Sequence, residues 1–252
     1  MKAWWRAVRA EMLKLKHTLA LWMVLVAPLA VVALIVIEWT LNSPSKPSTL
    51  TPVEAWQGLG RMFFTLWCLL MLPLFVTLQT ALLAGLEHGN GQWKHLFALP
   101  VPRSVHYLGK LTVVVGMVVA SYVLLFILTV PAGFVLMFTA PQMGIVGMPH
   151  LGGLVPPVAA SLGASLLIAT LQTWIALRWR SFTMAVAVGM VATVAGFIIG
   201  QSHYGRFYPW TLPVQAFVKD GAHTGLALAL GLVGGLLVAV LGLADFLRRE
   251  SP

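Results

Sequence analysis

The chain has 252 residues, 59% hydrophobic and only 9% charged, which is more apolar side chain than a soluble domain can bury. Its formal charge of +9 sits on Lys and Arg beside apolar runs, which points to a membrane surface and away from nucleic acid. A single cysteine, Cys68, excludes an intramolecular disulfide and a cysteine metal cluster.

The N-terminal stretch MKAWWRAVRAEMLKLKH (residues 1–17) places Trp4, Trp5, Val8, Met12 and Leu15 on one helical arc. Arg6, Arg9 and Lys16 lie opposite, with Glu11 and Lys14 on the flanks. Two readings fit: a helix lying in the interfacial plane, or a helical extension of the first span that carries positive charge. The apolar run at 19–37 is long for the core of a signal peptide. No small-x-small site follows it in IEWTLNSPS, so a retained first span is expected.

Next comes EWTLNSPSKPSTLTPVEAWQGLG, a Pro/Ser/Thr-rich stretch without periodicity, expected as an external loop. Runs of roughly 20 apolar residues then recur at 62–86, 111–138, 154–177, 182–200 and 225–246. The expected fold is all-α: six transmembrane helices in one domain over residues 1–252. APQMGIVGMPHLGG, after the third span, has no Lys, Arg, Asp or Glu and is expected to hug the outer interface. RWRS reads as a tight turn between spans four and five.

QSHYGRFYPWTLPVQAFVKDGAH carries Tyr204, Phe207, Tyr208, Trp210 and Phe217, read as an aromatic belt broken by Pro209 and Pro213. It fits either simple anchoring or a short re-entrant or interfacial helix. Small residues four apart (Ser161 and Ser165, Ala185 and Gly189, Gly196 and Gly200, Gly231 and Gly235) mark faces where helices can approach closely.

The basic residues are unequally shared between the two sides. Twelve Lys and Arg fall with the termini and with the loops after spans two and four, and four fall on the other side. By the positive-inside rule, both termini are expected in the cytoplasm.

Membrane-depth ionisable groups usually mark proton relays or ion sites. None is expected within these spans, neither carboxylate nor lysine, and the seven histidines fall in loops or near the interfaces. There is no H-E-x-x-H or G-x-S-x-G motif, and Gly109-Lys110 lacks the rest of a phosphate-binding loop. Such a chain has no evident means of using a proton gradient or ATP by itself, so energy would have to arrive from a partner at the cytoplasmic face. The polar residues Thr65, Gln79, Ser161, Ser165, Gln172 and Thr173 are candidates to line a path between helices or to bond across them. A lipid-modifying enzyme is disfavoured, since no acid–base pair or nucleophile is visible. A non-transporting membrane scaffold or sensor remains the alternative.

Between spans two and three lies EHGNGQWKHLFALPVPRS. Glu87 ends the second span, and Gly89-Asn90-Gly91 permits a sharp reversal. A short helix is predicted over 91–99, stopped by Pro100 and Pro102. On it Trp93, Leu96 and Phe97 share one face, and Lys94 and His95 take the sides. The residues alone fit equally a helix resting in lipid headgroups and a knob for a groove on another protein.

Glu87, the run G-Q-W-K-H-L-F-A-L-P-V-P-R-S and the later Gly-Lys pair resemble the type-2 ABC exporter permeases, as does AEMLKLKHT near the start. YPWTLP before the last span is similar to a piece found in the lantibiotic-immunity branch. LPVPR departs from the commoner LPVSR through a second proline. The resemblance implies that residues 1–17 form an elbow helix and that 91–99 form a coupling helix seated on a separate ATP-binding subunit. Glu87, Gly91, Trp93, Lys94, Leu96, Phe97 and Arg103 would make or frame that contact. It further implies no cofactor on this chain, ATP and Mg on the partner, and pairing with a second permease.

Overall fold

The computed structural model describes residues 2–16, 18–43, 47–88, 102–179, 181–218 and 221–248. In hydrocarbon each backbone N–H and C=O must be satisfied by the protein itself, which a helix does within its own segment. The described residues meet this demand with helices, and no strand occurs among them. In chain order these are α1 (Lys2–Leu15), α2 (Leu19–Leu41), α3 (Pro52–Leu66), α4 (Leu72–His88), α5 (Arg103–Thr139), α6 (Val155–Arg178), α7 (Phe182–Gly200), α8 (Thr224–Ala229) and α9 (Gly235–Arg248). One π-turn, Trp67–Met71, joins α3 to α4, and another, Leu230–Gly234, joins α8 to α9. Six segments are long and apolar enough to cross a membrane: Leu19–Leu41, Pro52–Gly85, Arg103–Thr139, Gly152–Arg178, Phe182–Gly200 and Thr224–Arg248.

Two spans begin earlier than expected. The second starts at Pro52 because Thr51 and Glu54 form a reciprocal cap. The Glu54 carboxylate accepts from the Thr51 amide at 2.8 Å, and proline occupies the first helical position. Residues 52–60, expected in an aperiodic loop, are therefore helical. Trp56 among them is fully buried, edge-on to Phe134, and donates from Nε1 to the Val146 carbonyl at 3.2 Å.

The third span starts at Arg103, where Pro102 supplies a fixed φ just ahead of the first turn. Its 37 residues make a helix about 55 Å long at 1.5 Å per residue. The hydrocarbon layer needs only about 30 Å. Helix α5 is therefore longer than the layer is thick.

The second span is the interior one, with 61% of its most apolar window buried against 22% for each of the last two spans. Its π-turn turns two sequence neighbours, Trp67 and Cys68, into the interior together. Phe64 stacks on Phe217 at 5.6 Å, and Trp67 meets Tyr122 edge-on. Helices α2, α7 and α9 expose runs of Leu, Val and Ile outward, as lipid-facing helices do.

Two of the small-residue faces are close helix contacts. A Cβ on Gly189 would collide with the side chain of Thr77 in α4, and one on Gly231 with the backbone of Ala164 in α6. The 201–223 connection is folded inward more than an interfacial belt would be. It forms 3-10 turns at His203–Phe207, Pro209–Thr211 and Pro213–Ala216. Trp210 and Phe217 are buried, Leu212 completely, while Tyr204 and Phe207 stay exposed.

Candidate functional site

Six crossings put the first and last described helix ends on one face, the face where α4 ends and α5 starts. There α1 packs along the first turns of α5. Gly109 makes the approach close, since a Cβ would stand 3.3 Å from the Ala7 Cβ. The inner stripe of α1 holds Glu11 and the fully buried Leu15. Glu11 accepts from Lys110 Nζ at 2.9 Å on one carboxylate oxygen and from Lys14 Nζ at 2.8 Å on the other.

The Lys110 and Glu11 side chains are only 1% and 4% exposed. The expectation that no lysine would be buried in the spans is thus corrected at Lys110, which faces inward on α5 and meets a carboxylate supplied by α1. Burial pushes the Glu11 carboxyl up, but the ammoniums of Lys110 and Lys14 more than offset this and hold it below its ordinary value. Charge at the end of a span looks like positive-inside decoration in a one-dimensional count, so the pairing was missed. The signal was the glycine before Lys110 together with Glu11 on the edge of the apolar arc.

That arc is divided. Trp4 and Val8 are half-buried and Leu15 is enclosed, whereas Trp5 and Met12 are 64% and 47% exposed. Arg6 and Arg9 are exposed beside them. The outer face of α1 therefore presents an indole and a thioether next to two guanidiniums.

On the same face Asp245 of α9 accepts from Trp174 Nε1 at 3.0 Å and from Arg178 at 3.2 Å, joining α9 to α6. Arg103 is half-buried at the head of α5. Gly91, Trp93, Lys94, Leu96 and Phe97, with the helix expected over 91–99, lie outside the described residues, as does the side chain of Glu87.

The six pathway candidates do not converge on one channel. Gln79 donates to the Ala20 carbonyl of α2 at 2.7 Å, and Gln172 donates to the Ala185 carbonyl of α7 at 2.8 Å, so both bond across helices. Ser165 and Thr173 are satisfied by carbonyls of their own helix. Ser161 joins a closed triangle in the core: 3.1 Å to Cys68 Sγ and 3.0 Å to Tyr122 Oη, with Cys68 and Tyr122 at 3.4 Å. It ties α6, the π-turn and α5 together.

Two of the six line cavities: Ser165 borders a largely apolar space between α5, α6 and α8, and Thr65 borders a more polar one. The latter, of about 370 Å³, lies at the face opposite the α1–α5 contact, between α3, α7 and the 3-10 turns. Gly196 and Gly200 give it room, and Leu69, Phe197, Val214 and Val218 form apolar wall. Arg206, His203, His223, Gln201 and Gln215 supply polar groups, with the hydroxyls of Thr65, Ser202 and Thr211. Arg206 donates to His203 Nε2 at 2.7 Å, while its buried Nε has no acceptor among the described residues. Leaving such a group unsatisfied costs about 1–3 kcal/mol. No group of three or more metal-ligating side chains occurs among the described residues.

No curated protein and no solved structure was found to match the chain. The family model described as ABC-2 family transporter protein matches residues 7–196, from α1 into α7. Together with six membrane-length helices over the described residues, that match means the chain belongs to the ABC-2 transporter family, as a multi-pass permease component.

Proposed function

We propose that this permease is the membrane half of an exporter in the bacterial cytoplasmic membrane, with both termini and residues 91–99 on the cytoplasmic side. It moves an amphipathic or hydrophobic cargo outward, using ATP hydrolysed with Mg on a separate subunit. The observation that carries the reading is the buried Lys110–Glu11 contact, which fixes α1 to the start of α5 beside the connection where the ATPase would sit. In this reading α1 is the elbow. Trp5 and Met12 enter the headgroup layer, with Arg6 and Arg9 among lipid phosphates, while Val8 and Leu15 hold the protein side and Trp4 bridges the two.

Residues 91–99 are the coupling helix. Trp93, Leu96 and Phe97 enter a groove on the ATPase, Lys94 flanks them, Gly91 sets the turn, and Glu87 and Arg103 frame the helix. A second permease, identical or sister, completes the membrane part. Membrane-active peptide antibiotics suit the apolar spans and the similarity of YPWTLP to the immunity branch. Lys110 does not turn the protein into a proton-coupled carrier, because it lies two turns from the start of α5 with its carboxylate on α1, away from mid-membrane.

The test is transport in vesicles holding this chain, its ATPase and a labelled amphiphilic peptide. Uptake should require ATP and continue at an essentially unchanged rate when the pH gradient is collapsed. A rate that followed the gradient at constant ATP would overturn the proposal.

A further inference from the structure

The cavity between α3, α7 and the 201–223 connection has a polar side built from one cation, two imidazoles, two amides and three hydroxyls, with no carboxylate among its described lining residues. Arg206 is held by three contacts: its Nη2 donates to His203, its guanidinium carbon stands 4.8 Å over the Phe207 ring, and the 3-10 turn fixes its backbone. That leaves a buried Nε–H with no acceptor. A second, independent sign is Gln215. It is only 7% exposed, lines the same space, and its amide makes no hydrogen bond among the described residues. Buried polar groups are ordinarily satisfied, so the unpaired Arg206 Nε–H, with the Gln215 amide open to the same cavity, points to an acceptor that comes from outside the chain.

We infer that this cavity binds the anionic headgroup of an amphiphile, a phosphate or similar oxyanion carried on an acyl or apolar chain. A guanidinium recognises such oxyanions in a fixed geometry, and Gln215 adds a neutral donor. The volume of about 370 Å³ suits a headgroup and the first part of a chain, and excludes a whole lipid. Leu69 and Phe197 form the wall along which the apolar part leaves. The identification of this ligand with the cargo rests on the exporter proposal, but the binding itself does not.

Binding is measured on the full-length protein purified in a neutral maltoside detergent, without ATPase. The probes are a fluorescent lysophosphatidylglycerol and inorganic phosphate. The expected result is saturable binding of the lysolipid, weakened about tenfold or more by Arg206→Gln. Gln215→Leu, which keeps the charge, should weaken it several-fold, with unfolding temperatures of both variants near that of the parent. Millimolar phosphate should leave the lysolipid bound. Displacement by phosphate at equal affinity would overturn the amphiphile in favour of a free-anion site, and lysolipid binding unaffected by both substitutions would overturn the site itself. Intact binding with no ATP-driven transport would instead count against the exporter.

Discussion

Lys110 Nζ donates to Glu11 Oε2 at 2.9 Å across 99 residues of sequence, and both side chains are almost wholly enclosed. The pair joins an N-terminal helix that could otherwise stand free to the start of the third span. Buried pairs gain little over an apolar substitute, but losing one member is costly, about 3–5 kcal/mol. Glu11→Gln and Lys110→Met should therefore each loosen α1, seen as faster proteolysis between α1 and α2 and a lower unfolding temperature. The double variant Glu11→Met/Lys110→Met should lose less than the sum of the singles. Strict additivity would mean that the two groups do not act as a unit.

The same contact sets a pH dependence. The folded-state carboxyl of Glu11 sits below the ordinary 4.5, so its contribution is fully present above that value. It is lost as pH falls through the depressed folded value. Docking of α1, followed by the same proteolysis, should thus be constant from neutrality to about pH 5 and weaken only in stronger acid. In Glu11→Gln the acid step should disappear. A step retained in that variant would assign it to another group.

Close helix approach at Gly189 and Gly231 should show as intolerance of volume. Gly189→Leu meets Thr77 and Gly231→Leu meets the Ala164 backbone, so each should cost about 1–3 kcal/mol by overpacking. Gly116→Ala in α5, where nothing lies within 4 Å, should be neutral or slightly stabilising. Thermal unfolding of the three variants in one detergent provides the comparison.

The Cys68–Tyr122–Ser161 triangle is a packing device in this account. Tyr122→Phe leaves the thiol and Ser161 bonded to each other and should cost about 0.6–1.7 kcal/mol, the range for polar contacts within membranes. Cys68 should stay unreactive to maleimide in the folded protein, since it is fully buried, and should label on unfolding. Rapid labelling of the native state would place a water-filled path through the triangle.

The apolar runs, their number and the small-residue faces could be read from sequence, because each depends on composition or on a local period. Phe182–Gly200 matches its expected limits for this reason. The start of the second span was missed because its cap, Thr51 and Glu54, lies inside a Pro/Ser/Thr-rich stretch that looks like loop throughout. The sequence left the 201–223 stretch open between anchoring and a re-entrant or interfacial helix, because aromatic residues at a membrane border suit either; the burial of Trp210 and Phe217 depends on the helices around them. Lys110 was hidden because burial of a charge is decided by its partner, here about a hundred residues away. The cavity is a property of three elements at once: Thr65 was singled out from sequence, while Arg206 and Gln215 carried no local signal.

The central claim, that this permease takes its energy from an ATPase seated on residues 91–99, is tested most directly by co-purification. The tagged chain, with Trp93, Leu96 and Phe97 replaced together by Ser, is expressed beside its ATPase and isolated from membranes. The account predicts normal insertion, an unfolding temperature near that of the parent, and loss of most of the ATPase from the isolated complex. Full recovery of the ATPase with the triple variant would contradict it.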